Sequence, residues 1–104
     1  MKNILKNIPG NLPEELFQTL VKNAGVHIER IVSRGHASPA GEWYDQDRNE
    51  FVLVLKGSGT LKFEDGRTEC MEAGDWLEIP ARVKHRVVWT DPESDTIWLA
   101  VQWD

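Results

Sequence analysis

The sequence has few means of cross-linking, of spanning a bilayer or of attracting a polyanion. It holds one cysteine in 104 residues, so no internal disulfide can form. That residue, Cys70, is flanked by Glu69 and Met71, which offer no cation to lower a thiol pKa, and it reads as a small packing residue. The longest strictly apolar run, Phe51 to Leu55, is far too short for a membrane span. The opening MKNILKNIPGNLPEE lacks the apolar stretch of a secretory signal. Lys and Arg number 12 against 17 Asp and Glu, a formal net charge of −5, which gives no positive field for nucleic acid or an anionic membrane. These absences predict a soluble, cytoplasmic protein with neither a nucleic-acid nor a membrane partner.

Repeats, linkers and low-complexity segments are also missing. The length suits one domain with a modest core. Asn11 followed by Glu14, with Pro13 between them, resembles a helix-capping box. Leu16, Phe17, Leu20 and Val21 then recur at helical spacing, and Asn23-Ala24-Gly25 supplies a stop. The pattern predicts an N-terminal arm and short helix over 1–24. From Gly25 onward short apolar segments alternate with the turn-rich stretches GHASPAG, KGSG, EDGR, EAGD and TDPES. No later helix is long enough to cross over between parallel strands. Residues 25–104 therefore read as an all-β, antiparallel barrel or sandwich.

Two stretches carry chemistry. In EWYDQDRNEFVLVLKG, Glu50 precedes Gly57 by seven residues, with apolar strand between. In GDWLEIPARVKH, Gly74, Pro80 and His85 stand at fixed offsets. Together these resemble the two motifs of the cupins, small jelly-roll barrels, G-x5-H-x-H-x3,4-E-x6-G and G-x5-P-x-G-x2-H-x3-N. The resemblance runs from Gly25 to the end and implies an RmlC-like antiparallel jelly roll. It is incomplete. The paired histidines of the first motif are absent, Arg82 replaces the internal glycine of the second, and Trp89 replaces its final Asn.

Counting back from Glu50 with four intervening residues puts Trp43 and Asp45 at the histidine positions; with three, Tyr44 and Gln46. Either pair shares one face of an extended strand, and the alternatives stay open here. The resemblance implies that Glu50 and His85 share a polar site. With Asp45 or Gln46, and with Gln102 or the loop residue His36 as a further donor, they would form an oxygen-rich site suited to weakly held Mn, Fe, Ni or Zn. Asp45 also reads as a turn residue, and His27 as a surface or structural one. Strand parity places Val87 and Trp89 on the face of His85, so Trp43, Tyr44, Trp89, Gln102 and His36 are the candidate pocket lining. Trp76 and Trp103 read as core or interface.

Two functions follow from the resemblance. One is a metal-binding cupin acting on a small sugar-like or carboxylate molecule. The other is a metal-free barrel, working by acid–base side chains as sugar epimerases of this fold do, or holding a ligand without turnover. The sequence does not decide whether the protein is an enzyme. The strand FVLVL, apolar on both faces, predicts that a second copy covers one of them, giving a homodimer.

Overall fold

The computed structural model describes residues 1–104 and contains eight strands and no helix. They are β1 (Leu16–Lys22), β2 (Val26–Ser33), β3 (Asn49–Lys56), β4 (Ser58–Phe63), β5 (Thr68–Glu72), β6 (Trp76–Ile79), β7 (His85–Thr90) and β8 (Thr96–Trp103). One sheet has the order β1-β2-β8-β3-β6 and the other β5-β4-β7, and every pairing is antiparallel. No helix is long and apolar enough to cross a membrane.

The two sheets face each other across Val52, Val54, Leu61, Phe63, Met71, Ile79 and Trp98. The alternation in β3 shows why. Glu50, Val52 and Val54 are buried, whereas Phe51, Leu53 and Leu55 are only half-covered, so β3 sends its even-numbered side chains between the sheets.

The predicted helix is instead the edge strand β1. Phe17, Thr19 and Val21 are poor helix formers, and a short helix packed on nothing is marginal in water. Pairing with β2 satisfies the same backbone groups. The helical spacing survives because the register slips between Thr19 and Val21, which lets Leu20 and Val21 both stand half-exposed. Glu15 accepts a hydrogen bond from Ser33 Oγ.

Two arginines fasten the segment before β1. Arg30, on β2 and 6% exposed, donates from Nη1 to the carbonyls of Ile4 (3.1 Å) and Lys6 (2.7 Å) and from Nε to Gln18 Oε1 (2.7 Å). Arg34 donates to Gly10 O (3.0 Å) and pairs with Asp95 (2.6 Å). The arm is thus tied to β2 and, through Arg34, to Asp95 before β8.

A second irregularity decides which residues reach the interior. In β7, Val87 opposes Leu61 and Trp89 opposes Thr60, so Val88 is an extra residue with no partner on β4. Side-chain parity reverses there. His85 and Val87 face inward, Thr90 is buried, and Trp89 is 46% exposed on the outside. The expectation that Trp89 shares the face of His85 fails at this bulge.

Candidate functional site

Three strands place their polar residues in one row. In the register of β2, β8 and β3, His27 lies opposite Gln102, and Gln102 lies opposite Glu50. His85 approaches from the other sheet. Its Nε2 stands 3.4 Å from Glu50 Oε1, and both side chains are more than nine-tenths buried.

The hydrogen bonds in this row are directional. His85 Nδ1 is 3.0 Å from Val83 O, a carbonyl that can only accept, so Nδ1 carries a hydrogen. A neutral His85 would then turn a bare Nε2 toward a carboxylate. One proton must therefore lie between Nε2 and Glu50 Oε1. Desolvation is the largest single influence on His85 and lowers its pKa. The hydrogen bond and charge of Glu50, with the Val83 carbonyl, outweigh it and raise the pKa above 6.5.

The other oxygen of Glu50 is braced. Gln102 Nε2 donates to Glu50 Oε2 at 3.1 Å, so Gln102 Oε1 faces His27 Nδ1 at 3.2 Å and accepts its hydrogen. His27 Nε2 meets Thr19 Oγ1 at 2.9 Å. An amide between two such partners transmits orientation and carries no proton, so Gln102 holds the carboxylate turned toward His85.

Above this pair is a cavity of about 70 Å³. Its apolar walls include Phe17, Ile31, Val52, Val87 and Trp98, and its polar lining is Glu15, Glu29, Tyr44, Gln46, Glu50 and His85. Tyr44 is placed by a bridge to β7: its N–H donates to His85 O (2.7 Å) and its carbonyl accepts from His85 N–H (3.2 Å). Burial, reinforced by the charge of Glu15, raises the Tyr44 pKa. Arg82 N–H donates to Gln46 O at 2.7 Å and draws the loop before β3 inward. Arg82 adopts φ 69°, the left-handed conformation that a glycine at this motif position would take without strain.

Of the two residue pairs left open by counting, the structure turns Tyr44 and Gln46 to the cavity. Asp45 points out to Arg82 (3.6 Å), and Trp43 lies in a surface recess with the Arg86 guanidinium 5.8 Å from its ring centre. His36 is also outside the cavity. Its Nδ1 accepts from Arg34 N–H and its carbonyl from Thr90 Oγ1. Gln102 stands behind Glu50 and borders a polar recess at the barrel end. His27, Glu15 and Glu29 were not singled out from sequence as site residues. The available signal was in VHIERIV, where His27 and Glu29 share the parity of Ile31 within a β-branched strand.

Glu29 has a measurable consequence. Burial raises its pKa from 4.5; His27 opposes the shift and the charge of Glu50 adds to it. A raised folded-state value gives stability that is present below 4.5 and lost as pH rises through the folded-state pKa. The carboxylate is therefore a cost at neutral pH. Glu29→Gln is expected to melt higher than wild type at pH 7 and to lose that advantage near pH 4, as followed by thermal denaturation. An advantage that grows toward low pH would contradict this.

The cupin domain family matches residues 31–102, which include the Glu50–His85 pair, and the topology is that of a jelly roll. The chain belongs to the cupin family. The match is supported by solved structures. One, from Ralstonia eutropha JMP134 and described provisionally as a mannose-6-phosphate isomerase, is 44% identical, covers 100% of this cupin and 97% of its own length, and superposes with a TM-score of 0.95. An RmlC-like cupin from Desulfovibrio desulfuricans (15% identity, 99% and 94% coverage, TM-score 0.78) and one from Methanocaldococcus jannaschii with a double-stranded β-helix (21%, 93% and 86%, 0.72) share the fold. No curated protein matches the sequence.

Cupins often bind metals, and the donors of this one can be tested for fit. No three His, Cys, Asp or Glu side chains converge on one point. Glu50 and His85 are turned on each other, Gln102 presents its amide nitrogen to Glu50, and Asp45 faces outward. As arranged, these residues do not form a metal site.

Proposed function

We propose that this cupin performs proton-transfer chemistry, of isomerase or epimerase type, on a small sugar-like molecule. The observation that carries this reading is the buried Glu50–His85 pair, 3.4 Å apart at the floor of a cavity. Aldose–ketose or epimer interconversion needs a base to take a proton beside a carbonyl and an acid to return one. A carboxylate and an imidazole of raised pKa suit both steps near neutral pH. The 44% identical relative is described by an isomerisation, which agrees in reaction class. The cavity is small, about 70 Å³. Only the reacting end of a ligand enters, past the half-exposed Phe17 and Tyr44.

The test is deuterium exchange. Unphosphorylated aldoses and ketoses in D2O are expected to gain carbon-bound deuterium with wild type, at rates about 10²–10⁴ lower with Glu50→Gln or His85→Gln. Binding without exchange would favour a ligand-holding barrel. A weakly held Mn, Fe, Ni or Zn ion is the other reading; it needs Glu50 and His85 to turn from each other toward the ion, with the buried, unpartnered Gln46 Oε1 as a further donor. Sub-micromolar Zn binding lost in His85→Ala would establish it over the metal-free one.

We also propose a homodimer through the outer face of the larger sheet. There Phe51 stacks on Trp76, 61% exposed, at 5.4 Å, with Leu53, Leu99, Val101 and Trp103 beside them in register. Light scattering is expected to give a dimer mass at micromolar concentration and a monomer mass for Trp76→Glu. A monomeric wild type would refute it.

A further inference from the structure

The lining of the cavity is unequal in charge and in hydrogen bonding. Three carboxylates face it, Glu15, Glu29 and Glu50, and no Lys or Arg does. His85 is committed to Glu50. Two acceptors lack donors. The partly buried Glu29 carboxylate makes no side-chain hydrogen bond, with its nearest cation, His27 Nε2, at 4.0 Å. Gln46 Oε1 is wholly buried and unpartnered. A buried acceptor without a donor costs about 1–3 kcal/mol, and a ligand carrying several N–H or O–H donors would remove that cost. The half-exposed rim residues Phe17 and Tyr44 are aromatic, and ring faces attract cations.

We infer that the end of the ligand entering this cavity carries a protonated amine beside its carbonyl, an amino-sugar end, with the amine held by Glu29 and the Gln46 oxygen. The inference rests on the cavity being the ligand site proposed above, and it narrows the substrate class. A phosphate or carboxylate group would face three carboxylates with no cation free to meet it. The lining therefore disfavours an anionic group at the end that enters. An ammonium supplies three donors and compensates charge. A neutral polyol supplies donors alone.

Three near-isosteric probes that differ in charge test this: aminopropanediol, glycerol and glycerate. Each is titrated into wild type and Glu29→Gln, with amide chemical shifts of Tyr44 and Gln46 as readout. In wild type the amine is expected to bind more than about tenfold tighter than glycerol, as charge-assisted hydrogen bonds require, and glycerate least. In Glu29→Gln that preference should fall by about tenfold with glycerol binding unchanged. The variant is expected to fold, being more stable at neutral pH, so its loss of preference would not reflect unfolding. Glycerol or glycerate binding as tightly as the amine in wild type would overturn the inference, as would a preference for the amine that survives Glu29→Gln. Either outcome leaves the proton-transfer reading intact, because deuterium exchange measures that separately. Shifts of Tyr44 and Gln46 with none of the probes would overturn the cavity as this ligand's site.

Discussion

Replacing His85 by Ala is expected to cost about 3–5 kcal/mol of folding free energy, as for one partner removed from a buried ion pair. The loss exceeds the missing contacts because Glu50, 6% exposed, stays behind with the brace from Gln102 as its only remaining side-chain hydrogen bond. The joint replacement Glu50→Leu with His85→Leu removes both desolvation costs and is expected near neutral, or stabilising by about 1–4 kcal/mol. Urea denaturation of Glu50→Leu, His85→Leu and the double closes the cycle, with His85→Ala measured beside them. The pH dependence has a defined sign. The pKa of His85 is raised in the folded state, so the stabilisation it brings is fully present below 6.5 and fades as pH rises through the folded-state value. The gap between wild type and His85→Ala should be wider at pH 6 than at pH 9. A single-variant cost below about 1 kcal/mol would mean a pair solvated like a surface ion pair, and the shared proton would be wrong. A pair that a leucine core can replace without loss of stability is retained for what it does to a ligand.

Gly57→Ala is expected to be comparably severe. Gly57 closes the first motif and makes the turn from β3 to β4 at φ 82°. An added Cβ would lie 2.6 Å from Asp95 O and 2.8 Å from Thr96 Cα. Those are backbone atoms of the segment entering β8, and Thr96 is tied there, with its Oγ1 donating to Ser58 O at 3.0 Å. The left-handed conformation costs about 1–2 kcal/mol for a residue with a Cβ, and overpacking about 1–3 kcal/mol more. The total of roughly 2–5 kcal/mol would lower the melting temperature by roughly 8–40 °C at 4–8 °C per kcal/mol. Gly66→Ala is the control. It has φ 96° but meets nothing within 4 Å, so it should show the conformational cost alone. If the two variants melt together, the crowding at Asp95 is not real. The glycine of the motif is thus explained by packing against β8 and has no part in the chemistry.

The barrel was legible because its signals are regular. Both half-motifs, the turn chemistry and the buried alternation of Glu50, Val52 and Val54 follow from a period of two. What sequence misjudged has one physical cause. An extra residue at Val88 reverses parity along β7 and throws Trp89 outward, and a slip near Leu20 makes an edge strand carry helical spacing. A bulge leaves no mark in composition. The choice of Tyr44 and Gln46 over Trp43 and Asp45 was also hidden, since it depends on the backbone bridge between Tyr44 and His85. His27 entered the site through its register with Gln102, a pairing between residues far apart in the chain.

That register has a consequence for the order of assembly. β8 is the last of the eight strands in the sequence, yet it lies in the middle of the larger sheet, between β2 and β3. Until β8 enters, β2 and β3 have no common neighbour, Glu50 lacks Gln102, and Val52 and Trp98 cannot meet. Such non-local pairing slows folding and leaves apolar strands uncovered while it is incomplete. The larger sheet and the polar row within it therefore close together, when β8 inserts between β2 and β3.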